Sequence, residues 1–190
     1  MDWRTEEGNI RAKHLNAVEI EESISLLTEQ EFDSVNFPYA FLEAFGNKPA
    51  TIKRLKTGNT NSSDIAGGIL QRSNIHIAVC EKGKVSDTLT LLKESPATKK
   101  GKVKFVLATD GIDFEAEDIT SDDPPVVCAY QEFPDHFGYF LPLAGITTVK
   151  QLRESSFDIK ATGRLNRLYI ELLKDNRHES MEIASIKLGG

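Results

Sequence analysis

Residues 104–146 read KFVLATDGIDFEAEDITSDDPPVVCAYQEFPDHFGYFLPLAGI, and this stretch decides the fold. Val103–Thr109 is apolar on both faces, the pattern of a strand central in its sheet. Asp110-Gly111 is a hairpin dipeptide. Ile112–Ile119 then alternates, with Ile112, Phe114 and Ala116 on one face and Asp113, Glu115 and Glu117 on the other. Asp123-Pro124-Pro125 separates this strand from a further one over Val126–Tyr130. An aromatic run follows and leads into Pro-Leu-Ala-Gly.

Upstream, Ile69–Gln71 and Ile75–Cys80 read as two strands joined by a turn at Arg72-Ser-Asn74. Ser86 is placed to cap a helix through Lys93, with Leu89 and Leu92 facing inward. Ser95-Pro96 ends it, and Lys99–Lys102 reads as a solvated loop. Further back, FPYAFLEAF at residues 37–45 sets Tyr39, Leu42 and Phe45 at helical spacing with Phe41 beside them, and Gly46 stops the helix. Residues 51–57 predict a short basic helix. Gly58-Asn-Thr-Asn-Ser-Ser63 predicts a mobile loop. Val18, Ile24 and Leu27 share one side of a short acidic helix, and Thr28-x-x-Glu31 has the pattern of a capping box.

Downstream the period changes. Leu165, Leu168, Tyr169, Leu172 and Leu173 form a helical apolar stripe, with Arg164, Arg167 and Lys174 on its wet side. The expected organisation is a flexible N-terminus at 1–15, an α/β domain at 16–147, a helical extension at 148–176 and a polar tail at 177–190.

Composition narrows the class. The chain has 190 residues, enough for one domain with a helical appendage. Its net charge of −6 does not advertise a phosphate partner for the molecule as a whole. The basic residues are nevertheless local: Lys48, Lys53, Arg54 and Lys56; Lys99, Lys100, Lys102 and Lys104; Lys150, Arg153, Lys160, Arg164 and Arg167. The simplest account of each group is a solvated face. Cys80 and Cys128 each sit alone in strand-like apolar contexts, as buried thiols of a reducing compartment do. The N-terminal MDWRTEEGNIRAKHL lacks a signal-peptide core, and no run reaches the length of a membrane span. The expectation is a cytoplasmic protein with no membrane partner.

Four patterns bear on chemistry. Asn36-Phe-Pro-Tyr39 is close to the Asn-Pro-Pro-Tyr loop of amino-methylating DNA methyltransferases, where an amide and carbonyl accept from the target amine and the ring stacks on a flipped base. Here Phe replaces the first Pro and no Gly-rich cofactor loop precedes it, so a helix start with Pro38 near its first position is the better reading. Asp113, Glu115 and Glu117 share a strand face that could hold a divalent cation, but such a face is ordinarily solvated, and no metal ligands are assigned. In restriction-endonuclease-like nucleases, an Asp on one strand and a Glu-x-Lys on the next bind Mg²⁺ and activate water. The residues on offer are Asp64, Glu81 and Lys82. Glu81 and Lys82 are adjacent, so in a strand they point to opposite faces and cannot make that site without a bulge. His76 lies mid-strand without a partner nucleophile and reads as a structural histidine. The basic helix at Lys160–Lys174 could touch phosphates or pack on the domain.

KFVLATDGIDFEAEDI, EFPDHFGYFLPLAGI and ATGRLNRLYIELLKDN together resemble the N-terminal region of MmeI-like (type IIL) restriction–modification enzymes over about residues 20–176. The resemblance implies a nuclease-like α/β fold: a restriction-endonuclease-like mixed sheet flanked by helices, with a C-terminal amphipathic helix. In the family a helical spacer, an S-adenosylmethionine (SAM)-dependent adenine methyltransferase domain and a target-recognition domain follow. The chain departs from the pattern in its nuclease motif, which implies a methylating relative rather than a cutter. It also ends before any cofactor Gly motif, and RHESMEIASIKLGG does not resemble the spacer, as in a cut-out domain or a truncated frame. The implied function is the N-terminal module of a site-specific SAM-dependent DNA adenine methyltransferase, without catalysis of its own. Its partners would be the rest of that polypeptide and, nonspecifically, DNA, with Lys53, Arg54, Lys56, Arg164 and Arg167 as backbone contacts. SAM would belong to the parent enzyme. Mg²⁺ enters only under the alternative of a residual endonuclease. A stand-alone protein-interaction module is the third reading.

Overall fold

The computed structural model describes residues 16–146, together with Leu165 and Leu168, both helical. Ten regular elements and one long 3₁₀ segment run in the order α1 (Ala17–Glu29), α2 (Phe37–Ala44), α3 (Pro49–Lys56), β1 (Ile69–Gln71), β2 (Ile75–Val79), α4 (Val85–Glu94), α5 (Pro96–Gly101), β3 (Phe105–Thr109), β4 (Asp113–Asp118), β5 (Val126–Ala129) and the 3₁₀ segment Tyr130–Ala144. The five strands form one mixed sheet in sequence order. Only β2 and β3 are parallel, and α4 and α5 bridge them. The pairs β1–β2, β3–β4 and β4–β5 are antiparallel. The expected α/β class with helices flanking a mixed sheet is what the chain forms.

The pleat divides the sheet's residues into two sets. Ile75, Ile77, Phe105, Leu107, Phe114, Ala116 and Val126 point to one face, into the larger core with α1, α2, α3 and the 3₁₀ segment. His76, Ala78, Val106 and Ala108 point to the other, where Val85, Leu89 and Leu92 of α4 cover them. All five residues of β3 are buried, as expected of a central strand.

The aromatic run is the lid of the larger core. Tyr130, Phe133, Phe137 and Phe140 are essentially fully buried. Phe133 lies flat on Phe114 of β4, with centroids 4.7 Å apart and planes 6° off parallel. Phe140 meets Phe41, Phe45, Phe105 and Phe114. Runs of 3₁₀ turns are short when left to their own hydrogen bonds. Burial of these rings is what sustains fifteen residues of it here.

Several local expectations are corrected. The capping box of α1 is Asn16-x-x-Glu19: Asn16 Oδ1 accepts from the Glu19 amide at 2.8 Å, and Glu19 reaches back to the Asn16 amide. Thr28 instead sits in the last turn, its hydroxyl donating to the Ser25 carbonyl. Residues 96–101 are helix rather than loop, because Ser95 accepts from the Ala97 and Thr98 amides and Pro96 follows as the first helical residue. Ser86 lies within α4, and Lys84 takes the cap position. In α2 the buried stripe is Phe37, Phe41, Leu42 and Phe45, with Tyr39 only half-buried. The acidic face of β4 is not simply solvated. Glu115 accepts from the Ser86 hydroxyl, and Glu117 pairs with Lys93 at 2.7 Å, so α4 lies over it. Ile112 belongs to the turn and is half-exposed. Leu165 and Leu168 are also exposed. The rest of the helical extension, the N-terminus and the polar tail lie outside the described residues.

Candidate functional site

The turn-rich segment before β1 is pinned rather than loose. Asn61 donates to the Gly68 carbonyl at 2.9 Å and accepts from the Leu70 amide at 2.9 Å and the Ser63 amide at 3.1 Å. This sets Asp64 against the helical layer. Its carboxylate accepts from the Ser95 hydroxyl at 2.6 Å and from the Ala97 amide at 3.2 Å, at the start of α5. The Ser95 hydrogen bond is the main influence holding the Asp64 carboxyl below the usual carboxylate range.

Glu81 and Lys82 lie elsewhere. The sheet pairing ends with the Cys80 amide on the Thr109 carbonyl, and both residues fall in the turn that follows β2. The turn is closed by the Lys84 amide on the Glu81 carbonyl at 3.1 Å and tied to the sheet by the Gly83 amide on Asp110 at 2.8 Å. Glu81 and Lys82 are exposed. On β2 itself, the two same-face positions turned toward α4 and α5 are His76 and Ala78. An imidazole and a methyl group therefore occupy the i and i+2 positions of β2 on that face. Asp64 is beside His76, close enough for its charge to act on the ring. The described residues bring no three His, Cys, Asp or Glu side chains together in a metal-binding group.

His76 is fully buried and bonded through both ring nitrogens. Nδ1 is 2.7 Å from Thr98 Oγ1, and Nε2 is 2.8 Å from Ser63 Oγ. The Thr98 hydroxyl donates to the Leu92 carbonyl at 2.7 Å, so it accepts from Nδ1–H. The Ser63 hydroxyl has one proton and two acceptors in reach, His76 Nε2 at 2.8 Å and the Ile65 carbonyl at 3.1 Å. Burial pushes the imidazole pKa down to about 4, which keeps the ring neutral and gives that proton to Nε2. It joins three pieces of chain: the 61–68 segment, β2 and α5. Gly68 is needed beside it, because a Cβ there would lie 2.4 Å from Ser63 Oγ. A Ser–His pair is legible only in three dimensions, since thirteen residues separate its members.

A cavity of about 640 Å³ opens at the C-terminal end of β2. Val35, Pro38, Ile65, Ile69 and Val79 give it apolar walls, with Tyr39, Asn61 and Ser63 among its polar lining and Glu81 its one charged residue. Asn36-Phe-Pro-Tyr39 borders it as the start of α2. The Asn36 amide is engaged at both ends: Nδ2 donates to Asp33 at 2.8 Å, and Oδ1 accepts from Lys56 at 3.2 Å. The Lys56 ammonium also lies 5.0 Å from the Tyr39 ring centre.

Of the expected backbone contacts, Lys53, Arg54 and Lys56 are exposed on the last turn of α3, favourable positions for cations at a helix C-terminus. Arg164 and Arg167 lie outside the described residues. Among the described residues no helix is long and apolar enough to cross a membrane.

Comparison with known proteins adds two findings. Residues 15–175 match the family described as MmeI, N-terminal domain. DNA methyltransferase A of Bacillus subtilis (strain 168) is 30% identical over 159 residues, which take in 84% of this chain and 18% of that protein. The chain therefore spans less than a fifth of the length of this relative. No solved structure matches.

Proposed function

The chain belongs to the family of MmeI N-terminal domains, a methyltransferase-related module, and from that premise we propose that it is the N-terminal module of a site-specific, SAM-dependent DNA adenine methyltransferase, with no catalysis of its own. The observation that carries this reading is that Asp64 is bonded to the start of α5 while Glu81 and Lys82 lie in the turn past β2. A hairpin followed by a helix-bridged parallel pair supports a restriction-endonuclease-like core. On that core Asp64 is spent on the start of α5, and β2 presents His76 and Ala78. Against Mg²⁺, the Asp64 carboxylate already accepts from Ser95 and Ala97, and no group of three His, Cys, Asp or Glu side chains gathers around it among the described residues. SAM does not fit here either. The turn after β2 has a single glycine, Gly83, whose amide is taken by Asp110. The cofactor belongs to the rest of the polypeptide.

What this domain supplies is a rigid body. His76, Asn61 and Asp64 fasten the loop before β1 to the sheet and to α5. A degenerate nuclease fold kept in this way serves as a platform for its neighbours. Expressing the locus with the codons that follow residue 190, and assaying tritiated methyl transfer from SAM to plasmid DNA, tests the reading. The longer polypeptide is expected to label adenine, and residues 1–190 alone to label nothing. No labelling by the longer polypeptide, or no continuing frame, would overturn it.

A further inference from the structure

Three separated segments meet at the end of the sheet where β2 and β3 begin. The Gln71 side chain donates to Asn47 at 2.6 Å, which brings Lys48 beside the β1–β2 turn. Within that turn the Ser73 amide donates to the Gly101 carbonyl at 2.8 Å, and the Asn74 carbonyl accepts from the Lys104 amide at 2.9 Å. Lys48, Arg72, Lys99, Lys100, Lys102 and Lys104 thus crowd one end of the molecule, and all six are exposed. None forms an ion pair among the described residues. Of the acidic groups on the neighbouring elements, Glu117 is paired with Lys93, while Asp118 and Asp64 accept hydrogen bonds from uncharged groups and keep their charge. Six unpaired cations on one rim of a chain whose net charge is −6 are a concentrated exception to its composition.

The backbone at the rim is unusual as well. Ser73 (φ 58°) and Lys102 (φ 51°) are the two non-glycine residues in the left-handed region among those described, and both lie here. Lys102 ends α5 in a position that glycine fills without strain. A lysine there places its ammonium on the rim in spite of the backbone.

We infer that this rim, Lys48, Arg72, Lys99, Lys100, Lys102 and Lys104, is a phosphate-binding surface that lies against the backbone of duplex DNA. The inference rests on the methyltransferase reading only for the choice of DNA among polyanions. The surface differs from α3, whose Lys56 is turned to Asn36 and Tyr39. It reads no sequence, because lysines on phosphates fix position and not base identity. Its signature is salt dependence, with each cation that neutralises a phosphate adding about 0.9 to the slope of log affinity against log salt.

Fluorescence anisotropy of a labelled, mixed-sequence duplex with the whole chain, between about 50 and 200 mM salt, is the test. The expected result is a steep slope that falls by about two in Lys100→Glu/Lys102→Glu, with affinity at low salt down at least about tenfold. Lys53→Glu/Arg54→Glu on α3 is expected to change both far less. Lys102→Gly separates folding from binding: its melting temperature is expected not to fall, while the slope drops by about one. Wild-type binding by the rim variants would overturn the proposal. So would loss confined to the α3 variant, or a rim that binds an acidic peptide and ignores the duplex. Methyl labelling by the longer polypeptide alongside any of these results would discard the rim and leave the proposed function standing.

Discussion

Between pH 6.5 and pH 4 the unfolding free energy is expected to fall by about 3 kcal/mol through His76 alone. The imidazole has an ordinary pKa of 6.5 when the chain is unfolded and about 4 when folded. A base whose folded pKa is depressed contributes stability that is complete above its unfolded pKa. That stability is lost as pH falls toward the folded value, because the unfolded chain takes up the proton first. Asp64 titrates lower. Its carboxyl is held below 3.8, so its contribution is present above that pH and is lost only beneath it. The His76 window is therefore clear of it. His76→Leu gives up two side-chain hydrogen bonds and is expected to cost about 2 kcal/mol at pH 7. It also removes the titration, so its stability curve should cross that of the wild type on the way to pH 4. Urea melts at half-unit pH steps read both curves. Parallel curves would mean that the His76 pKa is the same in the folded and unfolded chain, against a buried imidazole held neutral.

Phe133→Ala is expected to cost about 4 kcal/mol. The ring is fully buried, stacked on Phe114 and edged by Phe37, Phe41 and Tyr130. A domain of this size has about 5–15 kcal/mol to lose. The variant should therefore melt far below the wild type, and its near-ultraviolet circular dichroism should weaken as the 3₁₀ segment loses its anchor. Val127→Ala, on the exposed outer face of β5, is the control and should change stability by under about 0.5 kcal/mol. Equal effects at the two positions would contradict the role given to the aromatic lid.

The sheet was largely legible in the sequence because its signals are local. A doubly apolar run became the central β3, and Asp110-Gly111 became the turn into β4. Val126–Ala129 became β5 after its two prolines. Most of what was missed depends on contacts between distant residues. Ser95-Pro96 carries two local signals, a helix stop and a helix start, and the first alone gives a loop where α5 forms. The loop at 58–63 looked mobile by composition, yet one asparagine holds it through hydrogen bonds to Ser63, Gly68 and Leu70. The nuclease candidates show the same limit. The adjacency of Glu81 and Lys82 argued against a site if both lay in a strand, but the structure places them past its end. Chain position alone could not reveal that Asp64 would be bound to α5. The basic rim was visible only as separate clusters until the Gln71–Asn47 and Ser73–Gly101 contacts joined them.

The central proposal is that this mixed α/β domain carries no cutting site of its own. Supercoiled plasmid incubated with the purified chain and Mg²⁺ or Mn²⁺ tests it most directly. The account predicts that the plasmid stays supercoiled, and that Asp64→Ala and Glu81→Ala are indistinguishable from the wild type. Metal-dependent nicking that disappears in either variant would contradict it.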